Sequence, residues 1–308
     1  MAQIYVVGHK NPDNDSIMAA YTYAHLKDML DPDNEYIPVR LGPLPAESEM
    51  IFNEYGLEGT PQLIESVGEG DKVILVDHNE MSQAVDGLNN AELVEVVDHH
   101  RIADVTTANP IFFFNAPVGS TATIVYKIYK NYDIEFEKGI AACLLSAILT
   151  DTVILKSPTA TKIDEEAVEE LSGILGIDAT EFGMKIFKSR GGDEDVAVDE
   201  IITRDSKEFD FGGKKVWIAQ YETVDLAGMK DRYEEIENAV KSLQTSKGYD
   251  AALMMMTDII VEGSDFVAAG DIAFIEKAFD ISFANGPVWM PGVLSRKKQV
   301  AAVLIAAE

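Results

Sequence analysis

Cysteine is almost absent: of 308 residues only Cys143 carries a thiol, inside the apolar stretch IAACLLSAIL. A single cysteine excludes an intrachain disulfide and a thiolate metal cage, and its neighbours mark it as a small buried hydrophobe. Long apolar runs are missing too. Ile140–Leu145 and Val300–Ala307 fall well short of the roughly 18 residues that span a bilayer, so no membrane partner is expected. The opening MAQIYVVGHK has neither a basic leader nor a small-residue cleavage site, and a cytoplasmic location is the expectation. Basic residues are scarce, 25 Lys and Arg against 53 Asp and Glu, for a formal charge of −28. Such a charge opposes general affinity for phosphate backbones, so nucleic acid is not expected as a partner. A negatively charged substrate would need a local basic cluster.

Through the first 190 residues, short β-branched runs alternate with amphipathic segments: IYVV, a helical pattern over Asp15–Leu30, YIPVR, then Ala46–Tyr55. KVILVD and ELVEVVD follow, each almost continuously apolar and each ending in Asp. Strands apolar throughout are buried on both faces, which with helical connections means an α/β domain with a mainly parallel sheet flanked by helices. In such sheets ligands collect beyond the carboxyl ends of the strands, and His9, Asp77 and Asp98 each read as lying just after one. Further helices are expected at Ser120–Tyr132, Ile140–Leu149, Asp164–Leu175 and Ala179–Phe187. The polar, glycine-containing KSRGGDED then marks a linker at Ser189–Asp195 between domains 1–188 and 196–308. The second domain reads as smaller and mixed α/β, with strands at Lys215–Tyr221 and Ala251–Ile260, helices at Met229–Ser246 and Asp271–Ala278, and a basic turn SRKKQ.

GHKNPDNDS supplies an imidazole and two carboxylates, His9, Asp13 and Asp15, on a loop that Pro12 and Asn14 help to curl. Taken alone it serves equally as a metal loop or as a plain loop in which Asp13 or Asp15 caps a helix. Asp77, in VDHNE, could bridge two cations through its two oxygens. In VDHHR the adjacent His99 and His100 should point to opposite sides of an extended segment, one ligating and the other facing substrate. Four of the five histidines, His9, His78, His99 and His100, fall in these motifs, a concentration that composition does not explain. Asp151 closes an apolar helix, where the helix dipole opposes a carboxylate unless a cation compensates. Imidazole nitrogen mixed with carboxylate oxygen suits manganese or cobalt better than magnesium or calcium, with zinc also compatible. Two such ions clamp a water and lower its pKa, and in-line attack on phosphorus is the natural reaction. Arg296, Lys297 and Lys298 form the basic cluster that a phosphate needs, while Lys207 by itself is indistinguishable from a surface lysine.

The ordered set GHKNPDNDS, VDHNE, VDHHR, LTDT, KSPT and SRKKQ resembles the family II, manganese-dependent inorganic pyrophosphatases of the DHH phosphoesterase superfamily, in their short form. The resemblance covers nearly the whole chain and implies a DHH-type first domain and a DHHA2-type second. It implies that His9, Asp13 and Asp77 hold one Mn2+ and that Asp15, Asp77, His99 and Asp151 hold the other. Co2+ could substitute, and Mg2+ would accompany the substrate. His100 would contact pyrophosphate and protonate the leaving phosphate, Lys207, Arg296 and Lys297 would grip the diphosphate, and His78 and Asp98 would orient ligands. Closure of the second domain over the first, about the linker, would complete the site. A homodimer through the N-terminal domain is also implied. Asn14 stands where the family more often has threonine, a substitution the site should tolerate. The rival within the superfamily is a phosphodiesterase or exopolyphosphatase acting on short oligonucleotides or polyphosphate, but its glycine-rich GGGH-type motif is missing. A more distant rival is a metal or phosphate sensor that keeps the fold, which would usually have lost a ligand or the basic turn.

Overall fold

The apolar runs of the first half become neighbouring strands because each is saturated with side chains that must leave water on both faces. The computed structural model describes residues 2–190 and 196–306. The chain divides into two compact units, Met1–Arg190 and Gly191–Glu308. Residues 191–195 of the segment expected to be the linker lie outside the described residues.

The first unit is built on β1 (Gln3–Lys10), β2 (Glu35–Leu41), β3 (Gln62–Leu63), β4 (Lys72–Val76), β5 (Glu92–Asp98) and β6 (Phe112–Asn115). They form one parallel sheet in the order β3-β2-β1-β4-β5-β6. The order reverses between β1 and β4, and a reversal of this kind opens a crevice at the carboxyl ends of the strands. Helices α1 (Asn14–Leu30), α2 (Ala46–Glu54), α3 (Thr121–Asn131), α4 (Lys138–Asp151), α5 (Lys162–Leu175) and α6 (Ala179–Ser189) complete the unit. Helix α4 is buried from Ile140 to Thr150 and packs against α1, α3, α5 and α6, which is why its sequence has no polar face. Strands β3 and β6 were not expected. β3 has only two residues, and β6 reads FFFN with no alternation.

The second unit begins with α7 (Val198–Thr203) and continues through β7 (Asp205–Phe211), β8 (Lys214–Thr223), α8 (Tyr233–Lys247), β9 (Ala251–Asp258), β10 (Gly263–Gly270), α9 (Ala273–Phe279) and β11 (Val288–Pro291). The sheet order is β11-β10-β9-β8-β7, parallel only between β8 and β9. Alternate residues feed two cores: Trp217, Ala219, Tyr221, Met254 and Met256 toward one face, Val216, Ile218, Leu253, Met255 and Phe266 toward the other. All eight residues of β9 are therefore buried. The basic run is not a simple turn: Arg296–Ala301 forms a wide π-helical turn whose first residue follows the cap Ser295. Among the described residues no helix is long and apolar enough to cross a membrane.

Candidate metal centre

Three strand ends and two helix ends converge at the reversal in strand order. His9 comes from β1, inside the strand rather than beyond it, and Asp77 from the residue after β4. Asp98 ends β5, and His99 and His100 follow it. Gly8 makes the approach of α1 feasible, because a Cβ there would meet Ser16 Oγ at 1.9 Å. Ser16 Oγ instead accepts from the His9 N–H at 2.9 Å. Asp13 is the cap and also stands beside an imidazole: its Oδ1 accepts from Ser16 N–H at 3.0 Å and lies 3.6 Å from His9 Nε2.

Asp77 adopts φ 62°, a left-handed conformation that Asp tolerates better than most residues. Its Oδ2 lies 3.5 Å from His9 Nε2 and its Oδ1 lies 3.5 Å from His99 Nε2. Both histidines are locked in one orientation, since His9 Nδ1 meets the Lys10 carbonyl at 2.9 Å and His99 Nδ1 meets the Val118 carbonyl at 3.0 Å. A carbonyl can only accept, so each Nδ1 carries a proton and each Nε2 is turned toward the carboxylates. Ligand atoms of His9, Asp13 and Asp77 lie within 4.8 Å of one another, and so do those of Asp15, His99 and Asp151. Two imidazole nitrogens and four carboxylates in adjoining triads fit divalent transition-metal ions.

Asp15 is buried, which for a carboxylate costs several kcal/mol unless hydrogen bonds compensate. Compensation comes from the start of α3: Ser120 Oγ and Ala122 N–H donate to Asp15 Oδ1 at 2.7 and 3.0 Å, and Thr121 N–H donates to Oδ2 at 2.6 Å. Thr121 Oγ1 donates to Asp77 Oδ1 at 3.0 Å. Ser120 and Thr121 escaped notice in the sequence because a cap residue before a helix has an ordinary structural reading. Asn14 is fully buried, where it donates to Ser146 and Thr150 of α4 and accepts from Ser48 of α2.

The two adjacent histidines do not diverge as expected. The chain bends after β5, the rings sit 4.2 Å apart, and both approach Asp77. Alternation applies only while the backbone stays extended. Asp98 accepts from His100 Nδ1 at 2.9 Å, from His100 N–H at 3.0 Å and from Asn79. The bond to Asp98 raises the His100 pKa and leaves Nε2 of this half-exposed ring free for a partner. His78 is buried with Nδ1 on the Val76 carbonyl and no hydrogen-bond partner for Nε2, and burial pushes its pKa down to about 4. A cavity of about 410 Å3 beside the cluster is lined by His9, Asp77, His78 and His100 among others.

Asp151 ends α4, and the chain leaves it through a strained turn. Val153, Ile154 and Leu155 all have φ between 50° and 62°, which for residues other than glycine costs on the order of 1–3 kcal/mol each. The Ile154 N–H donates to Leu149 O at 2.7 Å, and its side chain fills the space over Gly183, where a Cβ would meet Cγ1 at 2.7 Å. Gly183→Ala should therefore lower the thermal midpoint by a few degrees. Overpacking costs about 1–3 kcal/mol, more than the gain of about 1 kcal/mol from helix propensity. A rise in the unfolding midpoint would contradict this packing.

In the second unit, Arg296 lies against the β7 and β8 strands. Its Nη2 donates to Asp205 at 2.6 Å and its Nη1 to the Ile218 carbonyl at 3.3 Å, while its buried Nε has no hydrogen-bond partner. Lys207 is on β7 two residues from Asp205, hence on the same face, and is exposed like Lys297. The strand that carries Lys207 was not expected, because DSKEFDF alternates too weakly to stand out from a loop.

Residues 3–148 match the DHH family, N-terminal domain, and residues 184–307 match the DHHA2 domain. The chain is 42% identical over its full length to the manganese-dependent inorganic pyrophosphatase of Bacillus subtilis, covering 99% of that protein. It is 43% identical to a probable manganese-dependent inorganic pyrophosphatase of Archaeoglobus fulgidus, over 96% of this chain and 95% of that one. Among solved structures it resembles a putative family II inorganic pyrophosphatase of Methanococcus jannaschii, at TM-score 0.60 and 39% identity over 99% of both chains.

Proposed function

The chain belongs to the manganese-dependent inorganic pyrophosphatases of the DHH family, and on that footing we propose how its residues hydrolyse pyrophosphate to two phosphates. The observation that carries the reading is the placement of the two Asp77 oxygens, each facing a different histidine Nε2 at 3.5 Å. A carboxylate so placed is suited to sharing two cations. His9, Asp13 and Asp77 would hold one Mn2+ and Asp15, Asp77, His99 and Asp151 the other, with Co2+ as a substitute and Mg2+ arriving with the substrate. Ions held there supply a water of lowered pKa and neutralise phosphate charge.

His100 is the proposed proton donor to the leaving phosphate. Its bond to Asp98 favours the protonated ring and aims Nε2 away from Asp98. Asp98 and His78 keep the loops after β5 and β4 in place through their own hydrogen bonds. Arg296, with a spare buried donor, is proposed to grip the diphosphate together with Lys297 and Lys207. Closure of the second unit about residues 189–195 is proposed to exclude water and align the substrate for in-line displacement. The enzyme is proposed to act in the cytoplasm.

A homodimer through the first unit is part of the proposal. Strand β6 is the last of its sheet, so one row of its backbone groups has no strand beside it, and Phe112 and Phe113 are exposed on it. Sedimentation equilibrium should return twice the 33.7 kDa chain mass, and Phe113→Lys should shift it toward the monomer. A monomeric wild type would refute the dimer. For the activity itself, phosphate release should be measured with manganese, cobalt, magnesium or zinc on pyrophosphate, a polyphosphate and a dinucleotide. Manganese- or cobalt-supported turnover of pyrophosphate is expected, and turnover confined to the dinucleotide would overturn the reading.

A further inference from the structure

Arg296 is held from its main chain as well as its side chain, and the holder lies outside every motif of the sequence. Gln220, on β8, is buried, with 6% of its surface exposed. Its Oε1 accepts from Arg296 N–H at 3.0 Å, and its Nε2 donates to the Leu294 carbonyl at 3.0 Å and to Thr257 Oγ1 at 3.1 Å. A weaker contact to Glu222 Oε1 is 3.3 Å. Because an N–H can only donate and a carbonyl only accept, the amide has one orientation. A chain of hydroxyls continues from it: Thr257 Oγ1 lies 2.8 Å from Ser264 Oγ, which donates to the Val293 carbonyl at 2.6 Å. Each hydroxyl has a single proton, so all the bonds run in one direction, toward Val293.

Register ties this to the guanidinium. Gln220 is the direct cross-strand partner of Asp205, the residue that accepts from Arg296 Nη2. One antiparallel pair therefore grips the arginine at both ends, and Lys207 follows Asp205 on the same face. Gln299, the last residue of SRKKQ, closes the turn from the other side: its Oε1 accepts from Leu294 and Ser295 N–H, and its Nε2 donates to the Gly292 carbonyl.

We propose that Gln220 is a positioning residue that sets the place of Arg296 through the main chain of Val293–Arg296. The proposal rests on the reading that Arg296 binds the diphosphate. Replacing Gln220 by Leu leaves the Arg296 N–H and the Leu294 carbonyl without this partner, so the turn shifts while Arg296 keeps its charge.

The test compares Gln220→Leu, Arg296→Ala and the double variant in pyrophosphate hydrolysis, with manganese affinity measured alongside by equilibrium dialysis. Gln220→Leu should lower kcat/KM roughly tenfold, the size of one lost buried hydrogen bond. Manganese affinity should stay the same. The double variant should be no worse than Arg296→Ala alone, because both changes act on one group. Ser264→Ala, which releases the Val293 carbonyl and the Thr257 hydroxyl but keeps the Gln220 bonds to Arg296 and Leu294, should give a smaller loss of the same kind and covers the case in which Gln220→Leu does not fold. If Arg296→Ala is defective while Gln220→Leu and Ser264→Ala are silent, or if the losses simply multiply, Gln220 has no positioning role. A silent Arg296→Ala overturns the reading of the basic turn and this inference with it.

Discussion

Asp77→Asn should lose manganese binding and with it nearly all pyrophosphate hydrolysis. Each oxygen of this carboxylate faces a different imidazole nitrogen, so one substitution should weaken both proposed ion sites at once. Changing a group that merely orients a ligand costs about 10–100-fold in metal affinity, and a shared ligand should cost at least that at each ion. Loss of the several kcal/mol that metal ions contribute in the transition state implies a fall in kcat on the order of a thousandfold or more. Equilibrium dialysis with manganese, beside phosphate release, checks both. Full metal content at wild-type turnover would remove Asp77 from the centre.

The same cluster makes metal uptake depend on pH in a definite direction. Burial alone lowers the His9 pKa, but hydrogen bonds to Asp13 and Asp77 outweigh it and raise the value to about 11. Burial and the charges of Asp15 and Asp13 push Asp151 up to about 9, and burial with the Asp15 charge raises Asp77 well above the carboxylate range. The metal-free cluster therefore holds protons where ions would bind, and binding must release them. Apparent manganese affinity should rise from pH 6 toward pH 9, and chelators should strip the metal more readily at the acid end.

Arg296→Ala should lower kcat/KM by roughly a hundredfold to a thousandfold, the range for removing a donor aimed at developing charge. Manganese affinity should not change, because the proposed ligands all belong to the other unit. Arg296→Lys should recover little, since an ammonium cannot fork onto two phosphate oxygens as a guanidinium does. Steady-state kinetics with pyrophosphate would decide it: an unchanged kcat and KM would exclude Arg296 from substrate binding.

Much of the first unit was readable because its strands are apolar on both faces and its helices have caps and periodicity. KVILV and ELVEVVD declared a buried parallel sheet before any contact was known. Strands β3, β6 and β7 did not, since short edge segments are stabilised by one neighbour and carry little pattern of their own. The histidine pair shows another limit. Its sequence implied divergence, but a bend after Asp98 turned both rings toward Asp77.

Residue type and spacing along the chain made His9, Asp13, Asp15, Asp77, Asp151 and one of His99 and His100 candidates, and only the resemblance to the family sorted them into two ion sites. Local sequence also contained the cap at Asp13, since a cap is made within three residues. Tertiary structure alone decided what those groups touch. Ser120 and Thr121 reach Asp15 across more than a hundred residues, and Gln220 reaches Arg296 across 76. Such contacts depend on strand order and register, which arise from packing the whole unit, and no local periodicity encodes them.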